Sequence, residues 1–182
     1  PVEAGHLLGV RAGVPHQVVQ VHPPVENFLV RVPGGGGDKR VLKEGEIFAA
    51  PGERDIIQID LRQEHSDYLL GACLPENHPN YSPLLDFTCV FNVDPVEEWK
   101  NEQLHYHRVR EEYYFVLRGR LDFQIGEATV SVSGGEILGV KPETVHGVIG
   151  GQGQVDVLFV RVPGGRGDKV VVGKPATNEE NE

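Results

Sequence analysis

The chain has 182 residues and a formal net charge of −10 at pH 7, from 17 basic and 27 acidic side chains. A chain of this length can bury a core without disulfide bonds, and its two cysteines, Cys73 and Cys89, are predicted to be reduced thiols. The acidic balance argues against nucleic acid as a partner, and the longest apolar runs are too short to cross a membrane. Because the first residues also lack the pattern of a secretory signal, we predict a cytoplasmic protein.

Two runs near the start of the chain, Val18–Val21 and Phe28–Val32, are rich in β-branched residues and predict strands. These strands cannot close a barrel alone, and exposed strand edges invite pairing with other strands. We therefore predict that residues 1–45 form an arm that packs on a complete barrel, in the same chain or in a partner subunit. A two-fold homodimer with strand exchange would cover both edges.

An internal repeat relates the two ends of the chain. Shifted by 130 residues, positions 5–42 fall on positions 135–172 without a gap, 17 of the 38 pairs are identical, and His16 falls on His146. Residues 1–45 are therefore predicted to be a partial repeat and residues 46–182 a complete unit. His16 has no paired histidines in its own copy, so we expect it to bind no metal.

The complete unit consists of short runs of β-branched and aromatic residues separated by glycine and proline, a pattern typical of a sandwich or barrel. One short helical turn is predicted over Pro95–Asn101, with Asp94 as its N-cap. The polar, acidic tail at 174–182 is predicted to be disordered. The predicted strands include Phe87–Val93, Tyr113–Leu117, Thr129–Val132 and Val155–Val162.

The residues with the clearest chemistry are two histidines one position apart, His105 and His107. On a strand they point to the same face, because side chains alternate with period two. A carboxylate follows at Glu111 or Glu112, and a third imidazole comes from another predicted strand at His146. Three imidazole nitrogens and one carboxylate oxygen suit a divalent transition metal.

This pattern resembles the first motif of the cupins. The segment reads His105-x-His107-x4-Glu112-x6-Gly119, which has the cupin spacing from its first histidine onward. The glycine that cupins carry six residues earlier is Trp99 here. The six-residue step to Gly119 selects Glu112, rather than its neighbour, as the carboxylate that corresponds to the family's ligand.

The second cupin motif is matched less closely. The segment reads Gly135-x5-Lys141-x-Glu143-x2-His146-x3-Gly150 and keeps the first glycine and the histidine. It departs from the family at the positions where cupins have proline, glycine and asparagine. The resemblance covers roughly residues 86–172 and implies an all-β fold, the cupin double-stranded β-helix or jelly-roll barrel, here with additional N-terminal strands.

Carried over residue by residue, the resemblance implies that one divalent transition metal binds per chain. Four protein ligands leave one or two positions open on a five- or six-coordinate ion. We expect Fe, Mn, Ni or Co rather than a closed structural Zn site, and Tyr106, Tyr114, Gln124 and Thr144 are candidates for orienting the imidazoles. The implied ligands are His105, His107, Glu112 and His146.

Cupins with this ligand set include dioxygenases, isomerases, decarboxylases and lyases, so the resemblance implies a metal-dependent enzyme acting on a small organic molecule. The sequence identifies no catalytic base. A non-catalytic cupin that binds a metal or small ligand as a sensor or storage module is the alternative. Polar groups beside the metal site would favour the enzyme, and an apolar or blocked pocket would favour the alternative. A sugar-phosphate isomerase would need a basic cluster, for which Arg118 and Arg120 are the candidates.

Overall fold

The computed structural model describes residues 1–37, 39–52, 54–62 and 68–173. Contacts within the backbone divide the chain into two compact units, Pro1–Glu64 and His65–Glu182. The acidic tail that the sequence predicts to be disordered lies outside the described residues.

The first unit contains one two-stranded antiparallel sheet. Strand β1 (His6–Val10) pairs with β2 (Ile56–Asp60) so that His6 is opposite Asp60 and Val10 is opposite Ile56. The inward residues of β2, Ile57 and Ile59, are buried. Additional N-terminal strands are therefore present, as the sequence predicts.

The positions of these strands differ from the prediction. Val18–Val21 and Phe28–Val32 form no strand, and Val19 and Leu29 are 83% and 77% exposed. A β-branched run gains stability in a strand only where it packs against cross-strand and same-face neighbours. Most side chains of these two runs are exposed, so their intrinsic preference for strand structure does not decide the conformation.

The sequence repeat and the backbone contacts divide the chain at different points. The repeat predicts a boundary between residues 45 and 46, whereas the contacts place it between Glu64 and His65. The difference arises because β2 lies after the end of the partial repeat and yet pairs with β1.

The second unit contains an eight-stranded sheet and belongs to the all-β class. The strands are β3 (Leu70–Gly71), β4 (Asp86–Val93), β5 (Leu104–His107), β6 (Glu111–Ile125), β7 (Ala128–Ser133), β8 (Ile137–Val140), β9 (His146–Val162) and β10 (Lys169–Gly173). The strand order β10-β5-β9-β4-β3 forms one path, and β6 joins it by pairing with β9, β7 and β8. The predicted strands of this unit are confirmed, and two of them, β6 and β9, are much longer than the sequence suggested.

Strands β6 and β9 run beside each other along the whole barrel. β6 pairs with β8 near its start and with β7 near its end, so it forms hydrogen-bonded ladders with two different strands along its length. Its pairing with β9 shifts register on both sides of Arg118. Next to this shift, Gly119 adopts φ +75°, a conformation that favours glycine.

The core lies between the faces of the long strands. Val116, Leu121, Phe123, Val155 and Val157 have no exposed surface, and each belongs to β6 or β9. Side chains at alternate positions face inward along both strands. The same alternation places the polar side chains of Glu112 on β6 and His146 on β9 inside the barrel.

The short helix α1 (Pro95–Glu98) confirms the predicted turn: the Asp94 carboxylate accepts hydrogen bonds from the backbone amides of Val96 and Glu97. Cys73 and Cys89 are both free thiols. Within the described ranges, no helix has the length and apolar character needed to span a membrane.

Candidate metal centre

The structure brings the four predicted ligand residues together inside the barrel. Their potential ligand atoms all lie within 4.8 Å of one another, and all four side chains are buried. His105 and His107 point to one face of β5, and His105 lies directly opposite His146 of β9. Glu112 comes from the second position of β6.

The Glu112 carboxylate oxygen Oε2 is the point on which the three imidazoles converge. It lies 3.0 Å from Nε2 of His146, 3.4 Å from Nε2 of His107 and 3.9 Å from Nε2 of His105. The same ring nitrogen of each histidine therefore faces one carboxylate oxygen.

The other ring nitrogen, Nδ1, is held by an acceptor in every case. His105 Nδ1 donates to the Gln103 carbonyl at 2.8 Å and lies 3.2 Å from the Glu102 carboxylate. His146 Nδ1 donates to the Thr144 carbonyl at 2.9 Å. His107 Nδ1 donates a hydrogen bond of 2.9 Å to the Asp168 carboxylate.

These acceptors determine which nitrogen can bind a metal. A neutral imidazole carries one proton, and a proton on Nδ1 leaves the lone pair on Nε2. Among the buried side-chain atoms of the described residues, Nε2 of His107 has no hydrogen-bond partner. With all three imidazoles neutral, three lone pairs and one anionic oxygen would face a single point, so the donor set fits a divalent cation.

The pKa values reflect the same arrangement. Burial opposes the charge on His105, but hydrogen bonds to Glu102 and Glu112 outweigh it and raise its pKa to about 9. Burial would also raise the pKa of Glu112, but hydrogen bonds from the three histidines hold it well below its usual range. The carboxylate is therefore ionised at neutral pH.

The structure distinguishes the two neighbouring glutamates. Glu112 is buried in the cluster, whereas Glu111 is only partly buried and accepts a hydrogen bond from the Tyr113 hydroxyl. Of the candidate orienting residues, Tyr114 lies near enough to Glu112 that burial and this carboxylate together raise the pKa of its hydroxyl, and Thr144 acts through its backbone carbonyl. Gln124 instead donates to the carbonyl of Gly126.

The sequence analysis missed a buried ionic network behind His107. Asp168 Oδ1 lies 3.1 Å from Nε of Arg110, whose Nη1 lies 3.8 Å from Asp86. Asp168 falls in the turn Gly164-Gly-Arg-Gly-Asp168-Lys, and the partial repeat keeps the same Gly-Asp-Lys ending. The sequence analysis treated this segment only as a turn; its repeated aspartate was the signal.

Two adjacent cavities, of about 130 and 140 Å³, border the cluster and share Glu112, Phe159 and Arg161. Each is well above the roughly 10–15 Å³ that one water molecule needs. Besides the shared residues, the first is lined by Tyr68, Asp86 and Thr88. The second is lined by two of the three histidines, His105 and His107, and by Trp99, Glu102, Tyr114, Val148 and Lys169.

Arg161 is the other residue that the sequence analysis missed. Its guanidinium donates to the Tyr68 hydroxyl and lies over the Tyr68 ring, 4.7 Å from the ring centre. Arg118 and Arg120, the sequence candidates for a basic cluster, instead form ion pairs with Asp156 and Asp122 and line neither cavity.

Residues 93–162 match the family model described as the cupin domain. The match spans the segment that carries all four cluster residues. The predicted resemblance to the cupin superfamily is confirmed over this segment, and the barrel has the all-β architecture that the resemblance implies. No curated protein sequence matches the chain.

Solved structures with a similar fold include two enzymes. The nucleoside dehydratase Pac13, from Streptomyces, is 17% identical over 54% of this chain and 76% of that chain, with a TM-score of 0.42. The DMSP lyase DddQ from Ruegeria pomeroyi is 19% identical over 63% of this chain and 54% of that chain, with a TM-score of 0.43. Similarities at this level identify neither the reaction nor the ligand of this protein.

Proposed function

We propose that this protein is a metal-dependent cupin enzyme that acts on a small organic molecule, of the dioxygenase, isomerase or lyase type. The observation that carries the proposal is the convergence of three imidazole Nε2 atoms on Glu112, each imidazole being held through Nδ1 by a separate acceptor. One divalent transition metal, such as Fe, Mn, Ni, Co or Zn, is the proposed cofactor. Held by these residues, it would supply Lewis-acid polarisation of a bound oxygen atom.

The walls of the cavities favour an enzyme over a simple binding module. Arg161, Tyr68, Glu102 and Lys169 place charged or hydrogen-bonding groups beside the cluster. Burial raises the pKa of the Tyr68 hydroxyl above its ordinary value, so at neutral pH it keeps a proton that it can donate in a hydrogen bond. A cavity that served only to enclose a metal would need none of these groups.

The first test is metal binding by purified protein. After incubation with Fe²⁺, Mn²⁺, Co²⁺ or Zn²⁺ and removal of the excess, elemental analysis should find about one ion per chain, as expected for a single four-ligand site. Glu112→Gln removes the anionic ligand and should reduce the metal content severely, whereas Glu111→Gln should bind metal like the unaltered protein. Equal metal content in all three proteins would contradict the proposed site.

The second test separates the enzyme from the non-catalytic alternative. The metal-loaded protein is assayed for oxygen uptake with catechols, thiols and keto acids, and for elimination or isomerisation of hydroxy acids by NMR. Metal-dependent turnover that is lost in Glu112→Gln supports the enzyme. Tight binding of a compound from these classes without turnover would support the sensor or storage function instead. The cytoplasmic location predicted from the sequence remains part of the proposal.

A further inference from the structure

We propose that Arg161 forms an anion-binding subsite beside the metal cluster and that the substrate of this protein is a small organic carboxylate. The inference rests on the proposed function in one respect only: the bound carboxylate is a substrate if the protein is an enzyme.

The position of Arg161 is fixed by the register of three strands. It lies directly opposite Glu112 on β6 and directly opposite Asp86 on β4. Residues that are directly opposite in an antiparallel pair project from the same face, with Cβ atoms about 4.5–5.5 Å apart. The guanidinium therefore belongs to the same interior surface as the metal cluster, and it lines both cavities.

The guanidinium retains donors for a ligand. It has five N–H groups in a planar fork that matches a carboxylate. Tyr68 accepts one hydrogen bond through its hydroxyl and supports the guanidinium with its ring. No carboxylate of the described residues forms an ion pair with Arg161, although Glu112 and Asp86 are close enough to raise its pKa against the effect of burial.

The nearest carboxylates are engaged elsewhere. Asp86 accepts hydrogen bonds from the backbone amides of Cys73 at 2.8 Å and Gly165 at 2.9 Å, and also faces Arg110. Glu102 lies 3.5 Å from Lys169. With Glu112 bound to a metal, Arg161 would have no carboxylate counterion among the described residues that line the cavities.

The charge balance around the cavities points to a single anion. Four carboxylates and three cationic side chains line the cavities or pair directly with a lining residue. With the three histidines neutral, as they are when they hold a metal, these groups carry one net negative charge. A bound divalent ion changes the total to one net positive charge, which a monoanionic ligand neutralises. The groups counted are Asp86, Glu102, Glu112, Asp168, Arg110, Arg161 and Lys169.

The test uses glycolate, a small hydroxycarboxylate, and glycolamide, which has nearly the same shape but no charge. Both are titrated by calorimetry into the full chain, once loaded with Zn²⁺ and once free of metal. Arg161→Gln removes the charge, and Arg161→Lys keeps it but removes the planar fork. Arg118→Gln is the matched control, because Arg118 pairs with Asp156 outside the cavities.

We expect the zinc-loaded protein to bind glycolate more tightly than glycolamide. Arg161→Gln should weaken glycolate binding by about tenfold or more, the effect of one charge-assisted hydrogen-bonded pair. It should not weaken the binding of Zn²⁺, because it removes a positive charge beside the metal site, and it should affect glycolamide less than glycolate. Arg118→Gln should behave like the unaltered protein. If Arg161→Gln does not fold, as judged by circular dichroism, Arg161→Lys is the variant that tests the subsite. Its affinity for glycolate should be several-fold lower than that of the unaltered protein.

Other outcomes overturn one proposal or the other. Glycolate affinity that is undetectable, no better than that of glycolamide, or unchanged by substitution of Arg161 would remove the subsite even if zinc binds. Failure to bind zinc, combined with glycolate binding that depends on Arg161 in the metal-free protein, would remove the metal-dependent function and keep the subsite.

Discussion

At the scale of single residues, the site is defined as much by the acceptors behind the histidines as by the ligand atoms themselves. Each imidazole is oriented by a carbonyl or carboxylate on its Nδ1 side. Only His107 depends on a charged side chain from a distant part of the chain, Asp168, which is 61 residues away in sequence. That dependence makes Asp168 a positioning residue whose effect can be measured.

We expect Asp168→Asn to reduce the affinity for Zn²⁺ by about tenfold, because a neutral amide orients the imidazole less strongly and lowers its basicity. The affinity is measured by competition with a coloured chelator. Asp156→Asn, which alters a surface carboxylate paired with Arg118, is the control and should not change the affinity. Equal affinities in the two variants would show that Asp168 does not position His107.

The sequence predicted the residues of the cluster because their spacing is local. His105, His107 and Glu112 lie within eight consecutive positions, and the repeat drew attention to His146. Arg161 and Asp168 were missed because their roles depend on the register of strands from distant parts of the chain. No local pattern reveals that Arg161 stands opposite Glu112.

At the scale of elements, the barrel depends on how two long strands, β6 and β9, shift their pairing register. The sequence predicted short strands separated by turns, and the short runs were correctly placed in β4, β6, β7 and β9. The continuation of β6 and β9 past Gly119 and Gly150 was not predicted, since glycine within a run usually indicates a turn. Here the glycines lie beside shifts of pairing register within a continuous ladder.

Gly119→Ala should therefore destabilise the barrel strongly. A Cβ at this position would lie 2.6 Å from the carbonyl oxygen of Gln154 and 2.9 Å from Cγ2 of Val155, at φ +75°. We expect a loss of about 2–4 kcal/mol of unfolding free energy in urea denaturation, from strain and steric overlap together.

Gly153→Ala is the matched control, because Gly153 has the same φ of +75° but nothing within 4 Å of the added Cβ. Its free energy of unfolding should fall by only about 1 kcal/mol, which is the cost of the backbone conformation alone. Similar losses in the two variants would mean that close packing against Gln154 does not contribute.

At the scale of the whole molecule, the N-terminal unit shows why composition is a poor guide to strand position. Among its described residues, the sheet forms where Ile57 and Ile59 can be buried, and not in the more apolar runs of residues 1–45. Val18, Val19 and Leu29 are largely exposed. Side chains of this kind are consistent with the prediction that the arm packs on a barrel, in the same chain or in a partner subunit.

We expect light scattering after gel filtration to give twice the 20.0 kDa mass of one chain. Removal of residues 1–45 deletes β1, leaves β2 unpaired and exposes its edge, so the shortened protein should be monomeric and less soluble. Removal of residues 174–182 is the control and should leave the dimer intact. A monomeric full chain, or a shortened chain equally soluble and stable, would contradict strand exchange.

The raised pKa of His105 also means that protons and metal ions compete for the same cluster. With a pKa of about 9, this imidazole is protonated at pH 7 when no metal is bound. Nε2 of a protonated imidazole cannot act as a ligand, so binding of the proposed metal would release a proton to solution. We expect the apparent metal affinity to rise as the pH increases from 7 towards 9 and to fall in acid, which would couple the occupancy of the site to the pH around the protein.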